Sequence, residues 1–522
     1  MHVAFVSLVA GLVALYFGLR QWLRATQDSR EPPVLGTTIP FVTPIVGTLT
    51  DKMNYYTRLR DQYNLPIYTL RLLGSRIYVI NTPQLITAVQ KNFKVLTFQK
   101  ITDKFSGLIC DTSEHAKDVQ KKQHDLWAEG KVAESGNHKS YKVLSPGVPL
   151  DEMNRTMIAS LAGEVEKAFR GGAESIQVGL YQWLKDIVTI ATTDGVYGAK
   201  NPYRDPKVSE DYWIYESALP IFAIGIKPKL LARAGHEARS RNALVFERYF
   251  QSGDYLQGST FTTTRHAWHI DSGFQLSDIA RLEVGNGIAI LSNTVPTAFW
   301  ALYHILIDPS VLSAVRTELQ QHVETSSEGK YLDIAKVKNN CPLLFSSMKE
   351  SMRLHSLASG VRSVLQDTLL NNTYLLKKDS MVLMPSTVQH SDPHLWGEDV
   401  HTFNYARFAN TSNSRAAKVN PVSFRAFGGG TTLCPGRHFA TTEVLALVAM
   451  VVLRFEVEPT EGRWKELLGI SSLTAAMPKP DGEVEVRIRE SEEEKGVRWK
   501  FGLSVGGRGI AIAAEDLVGE KV

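Results

Sequence analysis

Residues 427–440, Phe-Gly-Gly-Gly-Thr-Thr-Leu-Cys-Pro-Gly-Arg-His-Phe-Ala, constrain this chain more than any other stretch. Three consecutive glycines allow backbone angles that a side chain forbids, and they let a loop approach a flat ligand closely. Pro435 stiffens the turn just after Cys434 and donates no hydrogen bond. The N–H groups of Gly436 and Arg437 are then free to point back at the sulfur near a helix N-terminus, an arrangement that favours a thiolate. A thiolate so placed, with the ring of Phe427 beside it, suits axial ligation of a soft metal.

Phe427, Gly430, Cys434 and Gly436 fill the four fixed positions of F-x-x-G-x-x-x-C-x-G. The loop therefore resembles the haem-binding loop of the cytochrome P-450 family. The resemblance implies a mainly α fold with a smaller β region. It also implies haem b (iron protoporphyrin IX) as cofactor, with Cys434 as the axial ligand of its iron.

Glu350 and Arg353 stand at i and i+3 on a helix read over Pro342–His355, so they share a face and can pair. An E-x-x-R spacing is common by chance. This one lies upstream of the cysteine loop with Phe403-Asn404-Tyr405-Ala406-Arg407-Phe408 between them, and that order resembles the family's structural triad, completed by Arg407. A buried carboxylate shared by two guanidiniums needs its desolvation met by hydrogen bonds, so its expected task is to hold the loop.

A long helix is predicted from Leu276 to Ile307, followed by another over Val311–Val323. The long helix carries Ile290-Leu291-Ser292-Asn293-Thr294-Val295-Pro296. Where the family pattern has a small pair, one residue, an acid and an alcohol, this chain has Ile290-Leu291, Ser292, Asn293 and Thr294. Pro296 removes the N–H that would bond the carbonyl of Ser292, predicting a kink there. Thr294 can donate a hydrogen bond and relay a proton, whereas Asn293 can orient water but is no acid. These two are the expected catalytic residues. The Asn-Thr-x-Pro-x-x-Phe-Trp string resembles the sterol 7α-hydroxylases and, less closely, prostacyclin synthase. The chain as a whole resembles tailoring oxidases of fungal secondary metabolism.

Thr432 stands where many family members carry a basic side chain for a haem propionate. Arg362 resembles another propionate-binding arginine and is the expected contact. Ala289, Ile290, Leu357 and Thr474 are the expected substrate-pocket residues.

The N-terminus adds a membrane expectation. Val3–Leu19 is uncharged, near the minimum length for a span, and Arg20, Arg24 and Arg30 follow it. No basic residue precedes the apolar run and no small-x-small site follows it, which favours an uncleaved anchor over a signal peptide. The expected organisation is an anchor over 1–24, a proline-rich linker over 25–49 and a haem-thiolate catalytic domain over 50–522. A single-pass protein of the endoplasmic reticulum membrane, with its catalytic domain facing the cytosol, follows. Basic and acidic residues number 58 and 54, too even to imply nucleic acid. Three cysteines without a C-x-x-C spacing indicate neither a zinc site nor a disulfide framework.

Together these readings predict a membrane-bound monooxygenase of a lipophilic sterol, terpenoid or alkaloid. It would use O2 and electrons from NADPH through cytochrome P-450 reductase. The alternatives are an isomerase or dehydratase of the prostacyclin-synthase type, and a non-catalytic membrane haem-binding protein.

Overall fold

The computed structural model describes residues 2–36, 38–128, 138–169, 173–409, 418–505 and 510–517. The fold is mainly α with a smaller β region, as predicted, and its centre is a pair of helices buried on nearly every face. Thr294–Leu306 and Arg437–Arg454 are largely apolar and buried along nearly their whole lengths, so each is surrounded by other elements. Leu180–Tyr197 and Val148–Lys167 pack around them, and Val444, Val448, Val452, Phe299 and Trp300 lie in one continuous core.

The predicted long helix is interrupted. Leu276–Ile290 and Thr294–Leu306 are separate helices with turns at residues 291–293. The break falls where Pro296 offers no N–H to the carbonyl of Ser292. It is also where the hydroxyl of Tyr212, from the Pro206–Ser217 helix, bonds both the carbonyl of Gly287 and the hydroxyl of Ser292. A side chain inserted into the helical ladder is a known cause of such a break. Next in the chain, the predicted 311–323 helix forms as Pro309–Gln320, capped by the carboxylate of Asp308. Pro342–His355 forms with the predicted bounds, and its proline occupies the first turn, where no N–H is needed.

The largest sheet has five strands in the order Ile67–Leu72, Ser75–Ile80, Met381–Pro385, Ser359–Val364, Leu96–Thr97. Ser359–Val364 pairs antiparallel with Met381–Pro385, placing Arg362 opposite Val382. Smaller sheets join Phe455–Pro459 with Glu485–Glu490 and Ser175–Gly179, and Trp499–Gly502 with Gly329–Asp333 and Val323–Ser326.

The His2–Ala25 helix includes a 22-residue stretch, Ala4–Ala25, of mean hydropathy 1.5 with none of its window buried. At 1.5 Å per residue it is about 33 Å long, enough for a bilayer's hydrocarbon core. The proline-rich segment after it packs onto the body. Glu31 pairs with Arg76 and accepts from the Tyr78 hydroxyl, and Leu35 and Phe41 are buried.

Candidate active site

Glycine conformation shapes the cysteine loop. Gly428 and Gly430 have φ of +77° and +59°, the left-handed region that L side chains rarely adopt. A Cβ on Gly429 or Gly430 would also collide with Gln90, at 2.6 and 2.9 Å. The backbone N–H of Cys434 donates to the carbonyl of Phe427 at 2.9 Å, closing the loop just before the Arg437–Arg454 helix begins. Burial pushes the Cys434 thiol upward. The N–H of Gly436, the Arg437 guanidinium and the N–H of Arg437 oppose it by favouring the thiolate. Cys110 and Cys341 lie in the core, where burial drives both thiols up to about 12. Of the three cysteines, Cys434 has the surroundings of a ligand.

The structure brings Glu350, Arg353 and Arg407 together on one carboxylate. Arg353 donates to both oxygens of Glu350 at 2.8 Å, and Arg407 Nε donates to Oε1 at 2.9 Å. Glu350 is 0% exposed, and the backbone N–H of Asn404 supplies a further donor. Arg353 also donates to the carbonyl of His390, whose ring Nε2 accepts the backbone N–H of Arg425. A hydrogen-bonded chain thus runs from the Pro342–His355 helix to the approach of the cysteine loop.

Arg362 reaches that loop as well: its Nη2 donates to Thr432 Oγ1 at 2.8 Å and its Nη1 to the carbonyl of Val361. Beside it lies Arg425, which sequence reasoning did not single out. The two guanidiniums are 1% and 2% exposed, and neither has a carboxylate within ion-pair distance among the described residues. Burial lowers the pKa of both to about 10, and the charge of Arg362 contributes to lowering that of Arg425. Arg425 Nη2 is buried without a hydrogen-bond partner. Two adjacent, desolvated, unpaired cations are costly and call for anionic groups. The two propionates of haem are carboxylates, so this donor set fits that cofactor. A basic residue two positions before Phe427, with none at position 432, was the available signal.

At the helix break, Thr294 Oγ1 donates to the carbonyl of Ile290 at 3.0 Å. Asn293 Oδ1 accepts the backbone N–H of Met477 at 3.1 Å, so this oxygen is committed to a loop. Ala289 is exposed and Ile290 half-buried on the preceding helix. Leu357 is half-buried, with its N–H on the carbonyl of Ala476. Thr474 is exposed and pairs with Ser472, and Met477 of the same loop meets the break.

A predominantly helical fold with a glycine-cradled cysteine and two unpaired buried arginines defines a haem-thiolate protein. The family model "Cytochrome P450" matches residues 269–486. Cytochrome P450 monooxygenase nodJ of Hypoxylon pulicicidum is 31% identical over 517 residues, covering 97% of this chain and 98% of that protein. Cytochrome P450 7B1 of Mus musculus is 25% identical over 517 residues, covering 93% and 96%. Cholesterol 7-alpha-monooxygenase of Cricetulus griseus is 31% identical over 192 residues, covering 33% and 37%. The chain belongs to the cytochrome P450 family. It is a P450 monooxygenase, and its cofactor is haem iron.

Proposed function

We propose that this monooxygenase is membrane-anchored and oxidises a bulky lipophilic substrate of the sterol, terpenoid or alkaloid type in secondary metabolism. Its electrons come from NADPH through cytochrome P450 reductase. The observation that carries this reading is the apolar surface. The N-terminal helix is unburied, and a second patch, Ile224, Ile226, Leu230 and Leu231, is between 60% and 72% exposed. Exposed apolar residues on this scale mark contact with lipid or with a lipophilic ligand. The printed name of cholesterol 7-alpha-monooxygenase supports a sterol-like substrate. Arg20, Arg24 and Arg30 after the anchor support a cytosolic catalytic domain at the endoplasmic reticulum.

Cys434 Sγ would ligate the iron, and Arg362 with Arg425 would take the propionates. When bound, haem would supply the activation of dioxygen, with the Cys434 thiolate as electron donor to its iron. The chain's own residues do the rest. The N–H groups of Gly436 and Arg437 favour the thiolate form of the sulfur against its burial. Thr294 Oγ1, held on the Ile290 carbonyl, is the group placed to pass a proton. Asn293 positions the Met477 loop through its side-chain oxygen. The Glu350–Arg353–Arg407 cluster fixes the loop's approach and touches no reacting atom.

The test is turnover in microsomes that contain the full chain and reductase, with sterols, terpenoids and prenylated alkaloids offered separately. An NADPH- and O2-dependent product from one of these classes is expected. Product only from small polar substrates would overturn the substrate reading.

A further inference from the structure

The chain's last described residues fold back onto the cysteine loop. After the Trp499–Gly502 strand, the backbone N–H of Ser504 donates to Asp333, well away from Cys434 in sequence. Residues 510–517 nevertheless lie against residues 429–438. Asp516 accepts from Arg437 through Nε at 3.1 and 3.2 Å and through Nη2 at 2.5 Å, and its Oδ1 is 3.7 Å from His438 Nε2. Its other oxygen accepts the backbone N–H groups of Ile512 and Ala513 at 3.0 and 2.9 Å, which fixes the turn that presents it. Glu515 accepts the backbone N–H of Gly430. Ile512 is buried, so the segment is docked through an apolar contact as well as its two acids.

The position of this turn matters because of what Arg437 also does. Its Nη1 donates to the carbonyl of Cys434 at 3.2 Å, so the contact lies on the outer edge of the loop that carries the sulfur. Lys349 stands nearby, caged by Phe345, Phe408 and Phe424, and interacts electrostatically with Asp516. Arg437 and the aromatic-caged Lys349 put positive charge beside the turn that carries Cys434. An electron donor has to come close to that turn, because electron transfer falls steeply with distance. A donor protein with an acidic face is the partner this charge pattern fits.

We propose that the Glu515–Asp516 turn holds in cis the contact that an acidic electron donor makes in trans, so that the donor must displace residues 510–517 to deliver electrons. This inference rests on the reading that a reductase supplies the electrons. A tethered segment competes at an effective concentration far above that of a diffusing protein. It lowers the apparent affinity of the donor by the fraction of molecules in which the edge is open.

The experiment compares the full chain, the double variant Glu515→Gln/Asp516→Asn and a chain ending at Val505, each loaded with haem. Anaerobic reduction under carbon monoxide is followed with NADPH and increasing reductase, and with dithionite as a partner-free control. Both variants are expected to reach half-maximal reduction at roughly five- to tenfold less reductase. Their maximal rate and haem content should be unchanged. In the full chain, hydrogen exchange over 510–517 should rise when reductase is added. Equal half-saturation in all three forms would overturn the proposal alone. Haem loss in both variants would overturn it too, making the turn a brace for the loop. Reduction of every form by dithionite and of none by the reductase would remove the electron-supply reading, and this inference with it.

Discussion

The side-chain oxygen of Asn293 accepts the backbone N–H of Met477 at 3.1 Å, joining the break in the central helix to a loop 184 residues further along the chain. The neighbouring Pro478 carbonyl accepts the indole N–H of Trp300, so the loop is held both at the break and by the helix that follows it. Asn293→Ala removes the first of these contacts. Substrate binding, read from the ferric spin-state shift, should weaken by roughly fivefold, the value of a single hydrogen bond near 1 kcal/mol. Asn293→Asp keeps an acceptor at the same place and should bind substrate nearly as the parent does. Equal loss in both variants would show that the amide itself, rather than its oxygen, is what the loop needs.

Removing Glu350 leaves Arg353 in the core without a counter-charge and Arg407 with Asp399 alone. Breaking a buried ionic cluster in this way costs about 3–5 kcal/mol. Glu350→Ala should therefore purify with little haem and melt well below the parent. Normal haem content would contradict the holding role given to this cluster.

Arg425 should matter to the cofactor as much as Arg362 does. Arg425→Ala and Arg362→Ala are each expected to release haem faster to an apoprotein acceptor, by roughly tenfold for the loss of a charge-assisted bond. The double variant should be worse than either. Arg425→Lys keeps the charge without the two-pronged donor and should fall between. Haem retention unaffected by Arg425→Ala would remove this residue from the site.

Glu443 supplies a pH dependence of stability. It is fully buried on the Arg437–Arg454 helix, accepts from Thr192 at 2.6 Å, and burial raises its pKa from 4.5 to about 8. Below pH 4.5 both folded and unfolded states hold the proton and its contribution is complete. As pH rises the unfolded chain ionises first, so stability is lost through the window up to about pH 8. Glu443→Gln has no proton to lose. The parent's melting temperature should therefore fall relative to that variant between pH 5 and pH 8, by an amount equivalent to roughly 3–5 kcal/mol at most. Parallel curves would mean that the carboxylate is already ionised in the folded protein.

What the sequence disclosed follows the range of the forces involved. The turn around Cys434 and the start of the Pro342–His355 helix depend on glycine and proline, whose backbone restrictions act locally, and both are readable from residue type. The break at 291–293 was read only as a kink at Pro296, because its second cause, the Tyr212 hydroxyl, comes from a helix about 80 residues earlier. Arg425 escaped notice for a similar reason: a lone arginine becomes conspicuous only when Arg362 is seen beside it with no carboxylate between them. Residues 25–49 read as a spacer by their prolines, yet Glu31 is pinned by Arg76 and Tyr78 across the sheet. Glu515 and Asp516 were not singled out in the sequence, because their partners Gly430 and Arg437 lie 85 and 79 residues back.

The most direct test of the account is the spectrum of the reduced, carbon-monoxide-bound protein, compared between the parent and Cys434→Ser. The parent should show the long-wavelength Soret band of thiolate ligation. The variant should lose that band, either by losing haem or by ligating it through another group. A Cys434→Ser protein that keeps haem and keeps the parent's band would contradict the assignment of this sulfur as the iron's ligand.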